Sequence, residues 1–162
     1  MIGRRLQPVA IAALSAMAVA ALGASATDIG PWYQSLQKPW FQPPDWLFGP
    51  AWTLIYGLIA LSGVKAWNAA RDRDHGLRIT AVYALNALFN IAWTELFFRL
   101  QRPDWALAEV VLFWLSIVLL IVVASSVSHA AGWLLVPYLV WVTFAGVLNL
   151  AVVRLNPVSA GY

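Results

Sequence analysis

The sequence predicts an all-α membrane protein, a bundle of five transmembrane helices forming one domain over residues 1–162. Three observations carry that prediction. Hydrophobic residues make up 62% of the chain and charged residues only 10%, whereas soluble domains carry charge on about a quarter of their residues. The apolar residues gather into five long runs, Leu6–Ala26, Leu47–Trp67, Leu77–Phe98, Trp105–Val127 and Trp133–Val153. None of these runs alternates as a barrel strand must, and each is long enough to cross a ~30 Å hydrocarbon core as a helix at about 1.5 Å per residue.

The first run begins after Arg4-Arg5 and ends at Ala24-Ser25-Ala26, a pattern shared with secretory signal peptides. Ala12, Ala16, Ala20 and Ala24 form a small-xxx-small stripe suited to close helix packing, so the run is read as a retained membrane helix. Next comes a connector, residues 27–46, unusually stiff for a membrane loop. Pro31, Pro39, Pro43 and Pro44, with Pro50 just beyond, each fix φ and restrict the preceding residue. Trp32, Tyr33, Trp40, Trp46 and Trp52 suit either the bilayer interface or an apolar ligand. This segment is expected to form a preformed lid.

Three later spans carry stripes at helical spacing. In the second they are Trp52, Tyr56, Ile59 and Gly63; in the third, Asn86, Asn90, Trp93 and Phe97; in the fifth, Tyr138, Trp141, Ala145 and Leu148. The two asparagines sit mid-span and need partners inside the bundle. They either hydrogen-bond neighbouring helices or serve as polar anchors of an apolar pocket. Pro137 is expected to free a carbonyl near Trp133 and kink the fifth helix. Glu95 precedes Arg99 by four residues, an i,i+4 pair reaching the interface. Glu109 is placed in the first turn of the fourth helix, where its charge complements the helix dipole.

The chain contains no cysteine, which excludes disulfides, thiolate metal sites and cysteine nucleophiles. His75 and His129 share no ligand-like spacing, and no nucleophile elbow or glycine-rich phosphate loop is present. A scattered net charge of +3 gives no footprint for nucleic acid. Arg4, Arg5, Lys65, Arg71, Arg73 and Arg78 lie on one side of the membrane against Lys38, Arg99, Arg102 and Arg154 on the other. That balance favours a cytoplasmic N-terminus.

The motifs resemble the TspO/MBR family of tryptophan-rich sensory and translocator proteins. The resemblance rests on Trp32-Tyr33-x-x-Leu36-x-Lys38-Pro39-x-x-x-Pro43-Pro44 and Gly49-Pro50-x-Trp52-Thr53-x-x-Tyr56. It continues through Leu85-Asn86, Asn90, Trp93 and Phe97-Phe98 to Pro137-Tyr138-Leu139-x-Trp141, Phe144-Ala145, Leu148-Asn149 and Leu155-Asn156. It implies a membrane-embedded homodimer, in a bacterial inner or outer membrane, that requires no cofactor. Its implied ligand is a porphyrin, protoporphyrin IX or haem, or another lipophilic small molecule.

On that resemblance Tyr33, Pro43 and Pro44 belong to the lid, while Trp52, Asn86, Asn90, Trp93, Trp141, Ala145 and Leu148 line the cavity. Trp32, Phe48, Tyr56, Phe89, Phe97 and Tyr138 complete the candidate set. Two alternatives stand beside binding. One is light- and oxygen-dependent porphyrin degradation, with Trp52 and Trp141 as the oxidisable indoles; the other is transport of porphyrins or lipophilic ligands. The stretch Val147–Arg154 lacks the tyrosine of the family's sterol motif, so specific sterol recognition is not expected.

Overall fold

The computed structural model describes residues 27–157 together with residues 14, 17–19, 21, 23 and 25. Among these, every regular element is helical, and four helical stretches are long and apolar enough to cross a membrane: Asp45–Ala69, Arg73–Arg99, Pro103–Val127 and His129–Leu155. The chain is therefore an integral membrane protein. The described residues of the first run are helical. Most of that run, including Ala12, Ala16, Ala20 and Ala24, lies outside the described residues, as do Arg4 and Arg5. Among the described residues four crossings stand, and the fifth expected one, Leu6–Ala26, falls mostly outside them.

The connector contains a short helix, α1 (Pro31–Ser35), and a 3₁₀ turn (Asp45–Leu47) that leads into α2 (Phe48–Ala69). Asp72 then caps α3 (Arg73–Thr94), accepting from the His75 backbone N–H at 2.8 Å. That bond, reinforced by the His75 ring, holds the Asp72 carboxyl below its usual range. The cap explains why α3 starts before the apolar run does. A π-helical turn, Glu95–Arg99, extends α3, with Leu100 N–H donating to the Glu95 carbonyl at 2.8 Å. Glu95 and Arg99 form the expected pair at 3.4 Å.

Helix α4 (Pro103–Val127) is the central element. Ala106, Val110, Phe113, Ile117, Leu120 and Ala124 recur at helical spacing and are buried against neighbouring helices. Glu109 lies in the second turn, not the first, because the helix begins at Pro103. The first-turn acid is Asp104, paired with Arg102.

The last span is divided into α5 (His129–Trp133) and α6 (Val136–Leu155). The expected kink at Pro137 is instead a break: proline occupies the first turn of α6, where a backbone donor has no intrahelical partner to lose. The break brings α5 against α2 and α4. Ser62 Oγ donates to the Ala131 carbonyl at 2.7 Å and lies 2.6 Å from the Tyr83 hydroxyl. Gly132 is buried so closely on α4 that an added Cβ would lie 1.8 Å from Ser125 Oγ and 3.3 Å from its Cα.

The connector is cross-linked around Asp45. Its carboxylate accepts from the Tyr33 hydroxyl at 3.3 Å and from Gln42 at 3.3 Å, and it pairs with Lys38 at 3.5 Å. Lys38 Nζ also sits 4.0 Å from the centre of the Tyr33 ring. At the end of α6 Asn156 closes a two-way clasp on the connector: it accepts from the Gln37 N–H at 2.8 Å and donates to the Gln37 carbonyl at 2.9 Å. Trp40 and Trp46 remain 95% and 71% exposed, as interfacial anchors should.

Two outcomes follow from this packing. Gly132→Ala should lower stability by about 1–3 kcal/mol through overpacking, with Ser125→Ala restoring part of it, measured by thermal melting in detergent. Burial, with Asp45 adding to it, pushes the Tyr33 phenol up from 10.0 to about 12. A raised value means that docking of the connector is fully stabilised below pH 10 and weakens as pH rises through 12. The phenolate absorbance difference between the parent protein and Tyr33→Phe should therefore titrate near 12; a midpoint near 10 would show that Tyr33 is not held in the connector.

Candidate functional site

At mid-bilayer depth a chain of side-chain hydrogen bonds joins four helices. The Tyr56 hydroxyl on α2 donates to Asn90 Oδ1 at 3.0 Å. Asn90 Nδ2 donates to the Tyr138 hydroxyl on α6 at 3.3 Å, and that hydroxyl donates to Asn86 Oδ1 at 3.1 Å. Asn86 Nδ2 then donates to Ser116 Oγ on α4 at 2.8 Å, and Ser116 closes the chain on the Phe113 carbonyl at 2.6 Å. Asn86, Asn90, Ser116 and Tyr138 are all buried. Both readings of the asparagines meet here: they tie the helices together, and they also line a cavity.

That cavity has a volume of about 220 Å³. Of the sequence candidates, Tyr56, Asn86, Asn90 and Tyr138 line it. The rest of its wall is Ile59, Gly63, Trp67, Ile79, Tyr83 and their small neighbours, with Val19 from the first run. It therefore runs from the asparagines toward the α2–α3 turn, away from the connector.

The remaining candidates form aromatic layers on the connector side of the hydrogen-bond chain. Trp52 stacks on Tyr56 at 5.4 Å and meets Tyr138 edge-on at 6.3 Å. Phe48 meets Trp141 edge-on at 5.8 Å. Nearer the connector, Trp93 stacks on Phe97 at 5.3 Å, Trp32 meets Phe97 at 6.0 Å, and Tyr33 meets Phe98 at 5.7 Å. Leu148 is buried, Ala145 is half-buried, and Phe89 packs on the main core. Pro43 is half-buried and Pro44 exposed in the connector.

The indoles differ in how their N–H groups are satisfied. Trp93 Nε1 donates to Asn149 Oδ1 at 3.2 Å, and Asn149 in turn donates to the Pro103 carbonyl at 2.9 Å. Trp114 Nε1 donates to Thr143 Oγ1 at 2.8 Å. Trp141 Nε1 is buried without a partner, as are both carboxylate oxygens of Glu109. A buried orphan donor costs about 1–3 kcal/mol, so Trp141 holds unspent hydrogen-bonding capacity. No group of three or more histidine, aspartate or glutamate side chains is placed to hold a metal ion among the described residues. His75 bonds Asp72, and His129 is exposed at the start of α5.

Ser116, Asp45 and the Gln37–Asn156 clasp were not singled out from the residues. Ser116 had a signal, being a lone hydroxyl in the middle of the apolar α4. Asn156 entered only through the family motif, and neither its pairing with Gln37 nor the role of Asp45 had a signal, because both depend on how the connector folds back.

Comparison with known proteins agrees with this architecture. The model of the TspO/MBR family matches residues 9–155. Protein CrtK of Rhodobacter capsulatus is 38% identical over 143 residues, covering 87% of this chain and 89% of that protein. Tryptophan-rich protein TspO of Archaeoglobus fulgidus is 39% identical, covering 88% and 94%. The human translocator protein is 32% identical, covering 77% and 75%. With the family's match running from the first run to the end of α6, this chain belongs to the TspO/MBR family.

Proposed function

We propose that the protein is a membrane sensory or regulatory protein that binds a flat, lipophilic aromatic ligand of the tetrapyrrole class, such as protoporphyrin IX or haem, beneath the connector. The buried, unpartnered N–H of Trp141 carries this reading. The Trp141 ring meets Phe48 at 5.8 Å and Phe144 at 5.9 Å, where aromatic faces and one free donor together suit a ring system bearing a hydrogen-bond acceptor.

The aromatic layers are packed on one another, and the cavity of about 220 Å³ is below the roughly 300–1,000 Å³ of sites enclosing drug-sized ligands. Admission of a macrocycle therefore requires the connector and its rings, Trp32 and Tyr33, to part from Phe97 and Phe98. In this reading the run Leu6–Ala26 completes a bundle of five, the N-terminus is cytoplasmic, and the protein acts as a homodimer in a bacterial membrane. No cofactor takes part.

Trp141→Phe keeps the ring and removes the donor. It should weaken protoporphyrin IX binding about three- to tenfold, read by quenching of tryptophan fluorescence on titration; undiminished affinity would remove Trp141 from the site. Asn156→Ala removes both clasp bonds without touching the aromatic layers. Stopped-flow traces should then show porphyrin leaving at least about fivefold faster, whereas an unchanged dissociation rate would mean that the connector does not gate the site.

A further inference from the structure

The cavity has features that a ring-shaped ligand does not explain. Along α3 it extends from Ile79 to Asn90, a length of about 16 Å at the helical rise, so its modest volume is drawn out into a narrow channel. Its long walls are apolar and small: Ile59, Ala60, Gly63, Ala84 and Ala87. The tyrosine hydroxyls along it are already engaged, Tyr83 with Ser62 and Tyr56 with Asn90. Along its length only the indole N–H of Trp67, at the exposed turn end, lacks a partner among the described residues. Trp67, Thr80 and Ala84 are exposed while Ile79, Asn86 and Asn90 are buried, so the channel opens sideways from the bundle, along α3.

The charges around its turn end are equally distinctive. On the connector side Lys38, Arg99 and Arg102 are each paired with an acid, and Arg154 alone of the four cations there is in none of the ion pairs among the described residues. At the α2–α3 turn Lys65, Arg71, Arg73 and Arg78 are all exposed, and none of them is in the ion pairs formed among the described residues. The nearby acids are Asp72, engaged with His75, and Asp74. Arg73 stands two turns before the lining residue Thr80 on one face of α3, with Arg71 in the turn beside it, whereas Lys65 and Arg78 fall on the opposite faces of their helices from Gly63 and Thr80. The surplus positive charge therefore stands at the channel's turn end.

We propose that this channel holds one acyl chain of an anionic phospholipid, whose headgroup rests on Arg71 and Arg73 at the α2–α3 turn. Hydrocarbon fills a wall whose hydroxyls and amides are engaged within the protein. The headgroup neutralises cations that the chain leaves unpaired, and each such cation near a membrane surface strengthens anionic lipid binding severalfold. The site lies in the opposite half of the bundle from the connector, and it does not depend on the tetrapyrrole reading.

The test is photo-cross-linking in phosphatidylcholine nanodiscs, with phosphatidylglycerol carrying a diazirine near the end of one acyl chain. Phosphatidylcholine with the same chain serves as the control. Adducts should concentrate on residues 56–67 and 79–87 and favour phosphatidylglycerol. Arg71→Gln and Arg73→Gln should each lower that preference about fivefold, as should raised salt in part. Ala84→Phe, checked for an unchanged helical melt, should abolish the channel adducts. Arg71→Gln/Arg73→Gln alters only exposed residues and stands as the test if Ala84→Phe fails to fold. Equal labelling by the two lipids would overturn the headgroup assignment, and adducts spread evenly over lipid-facing residues such as Leu112, Leu115 and Leu119 would overturn the channel.

Discussion

The Tyr138 hydroxyl is the point on which the bundle turns. Within a bilayer no water is available to satisfy a stray amide, so each buried polar group must find its partner in the protein. Tyr138 accepts from Asn90 and donates to Asn86, and through them α6 is bonded to α3, to Tyr56 on α2 and to Ser116 on α4. Apolar packing alone would discriminate weakly between helix rotations here, because lipid is as hydrocarbon-like as the helix faces. A directional chain of hydrogen bonds fixes rotation and depth together. The aromatic layers and the channel then fall on opposite sides of it.

That division separates two chemistries. Toward the connector lie stacked rings and an unmatched indole donor, held under a segment cross-linked by Asp45 and clasped by Asn156. Toward the α2–α3 turn lie small apolar side chains and satisfied hydroxyls. The first environment rewards a ligand with a face and an acceptor, and the second rewards hydrocarbon. The π-helical turn after α3 serves the connector side. In it adjacent residues Phe97 and Phe98 both face the connector, one meeting Trp32 and the other Tyr33.

Much of this was legible in the residues. The apolar runs located the crossing helices, and the stripe containing Asn86, Asn90, Trp93 and Phe97 was read on one helix face. Helical periodicity could not reveal that the stripe divides, its asparagines turning to the hydrogen-bond chain and its rings to the connector. Glu109 was misplaced by one turn because hydropathy begins the fourth run at Trp105, whereas Pro103 starts the helix itself. Pro137 suggests a kink because a run of apolar residues conceals a break whose polar groups are met by local turns and by Ser62 on α2.

By itself, the sequence determined an all-helical membrane protein of the TspO/MBR family with a stiff aromatic connector. Length, hydropathy and proline geometry act locally and leave little choice. Tertiary structure decided which indole lacks a partner, where the cavity runs, and that Gln37 and Asn156, 119 positions apart, close on each other. These depend on distances between helices, and no periodicity within a single helix encodes the separation of two groups on different ones.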